Sequence, residues 1–489
     1  MRLEHSRALL LAREATGAGV SALERRLERS LTVVSVAPDL PEARLTATVL
    51  LTTLRRLPGR LQLNPEATPP DLVDRLVGAV EAVDPERGIT VSRTTPADPS
   101  VRLHIGSDAA TTCIRVIPEG YGAHLLGANH TGVPIHRPAN ALGAVYAAAL
   151  GAAEAFKHTA GVLPARRALH RHLRFCPVTI STDLDRAPDP PADLHLDLSL
   201  IGLGAVGTAT AVILGQFPAT GVLALVDPER YSPENRGTYS LGGARETKEQ
   251  PWKVDLAASA LTGYDLTRIS ATVEQYQTAL EQRSRRWPRI VLAGLDSIEA
   301  RHHAQRLWPD HLIDAATGDT MLGLHHVVPD HGPCLRCLLP LPSAGPSSLE
   351  RLAQETGLPI RRLARGDEPL TEKDLTTLSI EQRNRLRQHL GKPTCGLANA
   401  LGLTSIPADD YRPSVPFISQ QAACLAVGRL LATTLGLQTR ANFVQYDGLI
   451  GPRRATKQRR RAAPTCYCQT RAATIQRVRE SRQPAKSST

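Results

Sequence analysis

Residues 198–227, LSLIGLGAVGTATAVILGQFPATGVLALVD, constrain this chain more than any other stretch. An apolar run leads into a turn with Gly202, Gly204 and Gly207, an apolar helical stretch follows, and a second apolar run closes on Asp227. That order predicts strand, turn, helix, strand. Such a unit turns the bare backbone N–H groups of the turn and of the helix N-terminus toward a phosphate, while the acid ending the second strand reaches a ribose hydroxyl. The stretch therefore reads as a nucleotide site in a mainly parallel α/β sheet. The turn does not choose the nucleotide, because Asp227 follows the last glycine by about 20 residues, a spacing that an NAD site also uses.

Beyond Asp227 the alternation continues. Helices are expected near 252–261, 275–285 and 298–307, and strands near 268–272, 289–294 and 312–316. Strands and helices of these lengths in alternation argue for a parallel sheet covered on both faces. Residues 343–392 are polar and helix-prone and read as an insertion, after which the apolar helix 419–435 returns to the core and 440–446 supplies a last strand. Upstream, 31–36 and 101–105 read as strands, 106–125 offers more, and 136–157 is a helix of small residues suited to close packing or a dimer contact. A chain of 489 residues exceeds one ordinary core. The expected division is an N-terminal α/β accessory domain (1–190) and a nucleotide domain (191–470) carrying a cysteine-bearing insertion (343–410). A basic tail (471–489) is expected to be disordered.

The net charge of +11 is concentrated at the end of the chain, where residues 453–489 hold eleven Lys and Arg against Glu480 alone. With 3% aromatic residues there is no stacking platform for single strands, so nucleic acid is not an expected partner. No apolar run reaches membrane-spanning length and the first residues lack an export pattern, so a cytoplasmic location without membrane attachment is expected. In a reducing compartment the close pairs among the eight cysteines suggest metal ligands or reactive thiols before disulfides.

Several residues after the turn add chemistry. Asn235 and Arg236, with Lys253 opening the next helix, offer an amide and two cations for phosphates. Asp296 stands past the strand RIVLAG, where ligands of open α/β sheets bind, and a carboxylate beside phosphates suits Mg²⁺. Taken singly, Arg236 and Lys253 are ordinary solvated cations and Asp296 an ordinary helix N-cap. Cys334 and Cys337, in a C-x-x-C turn, look like half of a tetrahedral zinc site, with Cys466 and Cys468 as the other half.

In this order the features resemble the ThiF/MoeB superfamily, which includes the ubiquitin-activating enzymes. They comprise the glycine turn, Asp227 with Glu229 in place of a second Asp, Asn235 with Arg236, Lys253, and Asp296 followed by Arg301. GPCLRCLLP, PTCGLANALGL and SVPFISQQAACLA complete the set, and the resemblance covers roughly 190–470. Two spacings depart from the family pattern: Arg236 is adjacent to Asn235 instead of three residues later, and the second cysteine pair is C-x-C.

The resemblance implies a Rossmann-like ThiF/MoeB adenylation domain that uses ATP and Mg²⁺ and holds Zn²⁺ on its four cysteines. It implies that Gly202, Gly204 and Gly207 cradle phosphate and that Asp227, with Glu229 beside it, holds the ribose. Asn235, Arg236 and Lys253 would bind phosphates, Asp296 would bind Mg²⁺, and Cys395 would be the nucleophile that forms a thioester. Cys424, inside an apolar helix, is expected in the core. The implied substrate is the C-terminal glycine carboxylate of a ubiquitin-like or sulfur-carrier-like small protein, with a conjugating enzyme as a further partner and a homodimer as the assembly. In such a dimer an arginine reaching in from the partner would come from Arg166, Arg167, Arg171 or Arg174. The N-terminal domain would be a degenerate adenylation-like half or a partner-binding module. Two other classes remain: an NAD-dependent oxidoreductase, which needs neither Asp296 nor the cysteine pairs, and a non-catalytic ThiF-like scaffold, which the altered Arg236 spacing would suit.

Overall fold

The computed structural model describes residues 6–482 except 38–40, 67, 95–98, 108–112, 129, 131–132, 134, 163–171, 190–192, 283–285, 330–331, 341–347, 364–367, 393, 395–396 and 398–414. The chain divides into two compact units, one of residues 1–340 with 413–489 and one of 341–412.

The large unit is built on two sheets. The first contains β1 (Leu31–Val36), β2 (Arg60–Asn64), β3 (Thr90–Val91), β4 (Val101–Ile105), β5 (Ile114–Glu119), β6 (Gly122–Leu126) and β7 (His172–Phe175), in the order β3-β2-β1-β4-β5-β6-β7. The second contains β8 (Leu194–Ile201), β9 (Ala219–Val226), β10 (Tyr264–Ile269), β11 (Ile290–Ala293), β12 (His311–Gly318), β13 (Met321–Val327), β14 (Phe443–Asp447) and β15 (Thr456–Gln458). Its order is β10-β9-β8-β11-β12-β13-β14-β15. In both sheets the first five strands are parallel and the remainder antiparallel. Strand for strand, β1–β7 therefore repeat the order and direction of β8–β14.

The helices follow the same repeat. Pro41–Arg56 follows β1 as Ala205–Gly215 follows β8, and Ala141–Ala160 lies between β6 and β7 as Pro416–Thr434 lies between β13 and β14. Ala141–Ala160 begins on Asn140, whose side chain accepts from the Leu142 and Gly143 amides at 3.0 and 3.3 Å, and ends on Gly161 at φ 74°. Nearly every residue between is buried, which explains a sequence apolar all round. Its small residues allow close approach to Pro416–Thr434 of the same chain, where the Phe156 and Phe417 ring centres are 5.4 Å apart. The small-residue helix thus finds an intrachain neighbour for the face that the sequence suggested for a dimer. Cys424 is fully buried in that contact.

The unit of residues 341–412 packs short helices, Ser348–Thr356, Ile360–Leu363, Glu372–Leu375 and Ile380–Arg387, around Leu352, Leu358, Leu370, Leu375, Leu386 and Leu397. Arg362 braces it with a fork on Asp374, at 2.8 and 3.1 Å.

Two expectations need correction, and one strand went unread in the sequence. The strand expected at 268–272 is β10, four residues earlier, because Tyr264–Ile269 pairs in parallel with Gly221–Val226. β13, unassigned from sequence, is buried because it pairs on both sides, with β12 and β14. The tail is ordered through Ala472–Arg482, which forms a helix. Ile475 is buried, Arg479 meets Asp310 at 2.9 Å, and the Arg482 guanidinium lies 3.5 Å from the Trp287 ring centre, so two of its three arginines face an acid and an aromatic ring. Residues 483–489 lie outside the described residues. Among the described residues no helix is long and apolar enough to cross a membrane.

Candidate active site

β9, β8 and β11 are adjacent and parallel, so the residues following them meet at one edge of the sheet, on either side of the point where the strand order reverses. After β8 comes the glycine turn. Gly202 has φ +83°, and a Cβ there would lie 2.8 Å from the Gly294 carbonyl oxygen at the end of β11. A Cβ on Gly207 would lie 2.1 Å from the Gly202 carbonyl oxygen, so the helix seats directly on its own turn. Gly204 differs: its Cβ would meet only the Tyr239 hydroxyl, at 3.6 Å. It caps Ala205–Gly215 with no side-chain acceptor, leaving the first helical amides available to an anion.

After β9 comes Asp227, buried, with Oδ2 accepting from the Leu203 amide at 2.7 Å and Oδ1 from the Glu229 amide at 2.9 Å. It thereby ties the glycine turn to the next strand. Burial raises its pKa, against the pull of Lys253 and of these two amides. Lys253 opens the helix Lys253–Ala260 and is buried, its ammonium paired with the Glu229 carboxylate and 5.3 Å from the Tyr239 ring centre. Burial alone would lower its pKa, but Tyr239, Asp227 and Glu229 outweigh this and hold it above the ordinary lysine value. Burial also raises the pKa of Tyr239, whose ring fills the space between Lys253 and Gly204. Nothing in the sequence marked Tyr239.

Asn235 and Arg236 lie on the one-turn 3₁₀ helix Pro233–Gly237. The Asn235 side-chain oxygen accepts from both the amide and the hydroxyl of Ser232, each at 2.9 Å, so this oxygen caps its own turn.

After β11 comes Asp296, exposed. The helix Ile298–Gln305 is capped by Ser297, whose hydroxyl accepts from the Ala300 amide at 3.1 Å, so capping does not account for Asp296. Behind it sits a buried network that sequence reasoning missed apart from Arg301. The Arg301 guanidinium donates twice to the Leu295 carbonyl, at 3.1 and 2.5 Å, and pairs with Asp314 at 3.3 Å. Asp314 also accepts from His325 at 2.8 Å, directly across the β12–β13 ladder. Burial would raise the Asp314 pKa, yet Arg301 and His325 hold it below the ordinary carboxylate value. The network fixes the carbonyl next to Asp296. The pairing of Asp314 with His325 was hidden because its register depends on β13.

The four expected metal ligands come together. Cys334–Cys466 and Cys337–Cys468 are each 3.6 Å apart and Cys334–Cys337 3.9 Å, with all four sulfurs within 4.8 Å of one another. A tetrahedral Zn–S₄ centre with bonds of about 2.3 Å has sulfurs about 3.8 Å apart, so this donor set fits zinc. Each pair sits at the start of a one-turn helix, Leu335–Leu338 or Tyr467–Thr470. Burial raises the thiol pKa of Cys334 and pushes that of Cys337 up to about 11, whereas hydrogen bonds from the neighbouring cysteines outweigh burial and lower that of Cys466.

Cys395 lies outside the described residues, as do Arg166, Arg167 and Arg171. Arg174 is on β7, opposite His124. A cavity of about 460 Å³ opens elsewhere in the large unit, beside Arg55, Arg60 and Arg87, and none of the expected site residues lines it.

Residues 194–468 match the ThiF family, and residues 45–176 match the BilD N-terminal domain. The chain belongs to the ThiF family, and its second sheet is that family's adenylyltransferase-like fold. Among solved structures, E. coli MccB is similar at 12% identity over 56% of this chain and 64% of its own length, with a TM-score of 0.36. PaaA is similar at 13% identity over 54% and 72%, with a TM-score of 0.32. The E. coli tRNA N6-threonylcarbamoyladenosine dehydratase TcdA is similar at 13% identity over 50% and 87%, with a TM-score of 0.25. The chain thus spans less than two thirds of the length of MccB. No curated protein sequence matches it.

Proposed function

We propose that this protein adenylates the C-terminal glycine carboxylate of a small ubiquitin-like or sulfur-carrier-like protein with ATP and then takes the acyl group onto Cys395 as a thioester. The observation that carries the reading is the meeting of an uncapped glycine turn, Asp227, buried Lys253 and uncommitted Asp296 around the ends of three adjacent parallel strands. In the first step a carboxylate oxygen attacks the α-phosphorus, the bond to the β-phosphate bridging oxygen breaks, and pyrophosphate leaves. In the second, the Cys395 thiolate attacks the acyl carbon, AMP leaves, and the thiol proton passes to solvent.

Each residue then has a task. The turn amides and the helix N-terminus bind phosphate, and Asp227 orients the ribose while holding the turn. Lys253 offers its charge to the phosphates. Its present partner, Glu229, is 65% exposed and can yield to them, whereas the lysine at 6% cannot leave. Arg236 and the Asn235 amide nitrogen add donors. Asp296 would hold Mg²⁺, which neutralises charge developing on the phosphates. The Cys334, Cys337, Cys466 and Cys468 set would hold a structural Zn²⁺. The N-terminal domain is read as a degenerate adenylation-like half, since it repeats the strand order while the sequence has no glycine between β1 and the helix Pro41–Arg56. A conjugating enzyme would collect the thioester.

The test is ATP–pyrophosphate exchange with candidate glycine-ended small proteins, repeated with Asp296→Ala and Cys395→Ala. Exchange is expected to fall steeply with Asp296→Ala and to survive Cys395→Ala, while the reducible enzyme–substrate adduct disappears with the latter. Exchange indifferent to Asp296→Ala overturns the metal assignment. An adduct persisting in Cys395→Ala overturns the nucleophile, and NAD(H) binding without ATP use replaces the whole reading with an oxidoreductase.

A further inference from the structure

The segment from Gly237 to Gly243 connects the Asn235–Arg236 turn to the rest of the nucleotide domain and carries Tyr239. Its side chains pack inside that domain, where the Tyr239 and Tyr231 rings lie 5.9 Å apart and Leu241 rests beside them, while its backbone carbonyls are gripped from outside it. Arg56, the last residue of Pro41–Arg56 in the first sheet's half, is buried, and its guanidinium donates to the carbonyls of Arg236, Ser240 and Gly242 at 2.7, 3.4 and 2.8 Å. One helical turn earlier, Thr53 accepts from Gln420, whose amide nitrogen also reaches the Ser240 hydroxyl, at 2.8 and 3.3 Å. At the far end of the segment, a Cβ on Gly243 would lie 2.1 Å from the carbonyl oxygen of Ala82, so the helix Pro70–Val83 rests against it. Inside the nucleotide domain the segment touches the glycine-turn helix through the Ser240 amide and the Thr208 hydroxyl, at 3.3 Å.

We propose that Arg56 is a positioning residue for the nucleotide site: by gathering three carbonyls of one segment on a single planar fork, it sets where Arg236, Asn235 and Tyr239 stand. Only a guanidinium suits the geometry, since its five N–H donors radiate in a fixed plane, whereas a lysine ammonium would satisfy these carbonyls only in part and sits on a shorter reach. Its neighbour Arg55 points elsewhere, to the carbonyls of Gly88 and Gly59 at 2.9 and 2.6 Å, as consecutive helical residues must. Arg55 therefore braces the first half and Arg56 the second. The consequence reaches past Arg236, because Tyr239 lies against Lys253 and Gly204, so a displaced segment disturbs both the lysine and the turn. The N-terminal half then has a physical task in nucleotide binding without touching the nucleotide.

The proposal rests on the adenylation reading, and two measurements on the full chain separate them. The first is amide hydrogen exchange without nucleotide on the wild type, Arg56→Lys and Arg56→Gln. Faster exchange confined to residues 236–243, with an unchanged melting temperature, is expected, and unchanged exchange there overturns the clamp whatever the enzyme's activity. The second is titration with ATP·Mg²⁺. Arg56→Lys is expected to weaken ATP binding about tenfold, and Arg56→Lys combined with Arg236→Ala to bind no more weakly than Arg236→Ala alone, because one acts through the other. Additive losses overturn the positioning role, as does loosened exchange with full ATP affinity. A wild type that shows the exchange pattern but no ATP binding sinks the adenylation reading and leaves Arg56 as a structural brace. If Arg56→Gln unfolds, Arg56→Lys carries both measurements, and global unfolding of Arg56→Lys as well overturns the proposal in favour of a purely structural role.

Discussion

At the scale of single residues, the three glycines of the turn make different demands. The Gly207 hydrogen points at a backbone oxygen that cannot yield, so Gly207→Ala is expected to lose about 1–3 kcal/mol of stability together with ATP binding. Gly204 faces only the Tyr239 hydroxyl, and Gly204→Ala is expected to melt within about 0.5 kcal/mol of the wild type while binding ATP more weakly. Thermal melting beside ATP titration separates the two, and equal loss of stability in both variants would mean that Gly204 serves packing and not a phosphate. Asp314 supports the opposite wall. Replacing it with Asn leaves Arg301 buried without its counter-ion, and a loss of about 3 kcal/mol is expected. The Leu295 carbonyl should also loosen, raising the Mg²⁺ concentration needed for exchange. A stability loss with an unchanged Mg²⁺ requirement would separate Asp314 from Asp296.

Elements explain what the sequence made legible. β8, β9 and the helix between them were readable because the helix and the strand ends next to the turn are buried, leaving the apolar runs LSLI and LALV on either side of a glycine turn and an apolar helix. The cysteine cluster was readable because two short spacings and a metal's geometry leave little freedom. β13 was not readable: MLGLHHV has two histidines whose burial is compensated only in three dimensions, His325 by Asp314 and His326 beside His311 and Arg429. The helix at 472–482 was not readable either, since its cations find Asp310 and Trp287 only once the chain returns at the cysteine cluster. That return makes metal removal informative. Chelation, or Cys468→Ser, is expected to release about one zinc per chain and to expose the basic segment near 453–461 to trypsin, whereas a metal-free chain with equal protease resistance would count against a zinc staple.

In the unit of residues 341–412, the hydrogen bond from Arg362, helped by those from Thr371, holds the Asp374 pKa down to about 2 against the opposing effect of burial. A carboxylate depressed on folding stabilises above its unfolded pKa near 3.8 and loses that contribution as pH falls through the folded value. The expected effect is about 2 kcal/mol, full above pH 5 and fading between about pH 4 and 2. Asp374→Asn should remove this acid dependence, and hydrogen exchange of 348–387 against pH reads it. An unchanged acid profile would place the stability of this unit in its leucine core alone.

For the whole molecule the decisive fact is repetition. Two sheets of the same strand order sit in one compact unit, and their corresponding long helices, Ala141–Ala160 and Pro416–Thr434, pack on each other. A homodimer, implied by the family resemblance, would bring together two such halves from separate chains, and here one chain supplies both. The buried aromatic contacts between the helices, and the Tyr146 and Tyr446 hydroxyls at 3.3 Å, leave that face occupied. Only one half has the glycine turn, so one nucleotide per chain is expected. Light scattering should then give one chain, 52.7 kDa, and ATP titration a stoichiometry near one. A particle of twice that mass would restore the homodimer through a different face. Two ATP sites per chain would mean that the first half, despite its missing glycines, had kept a nucleotide site of its own.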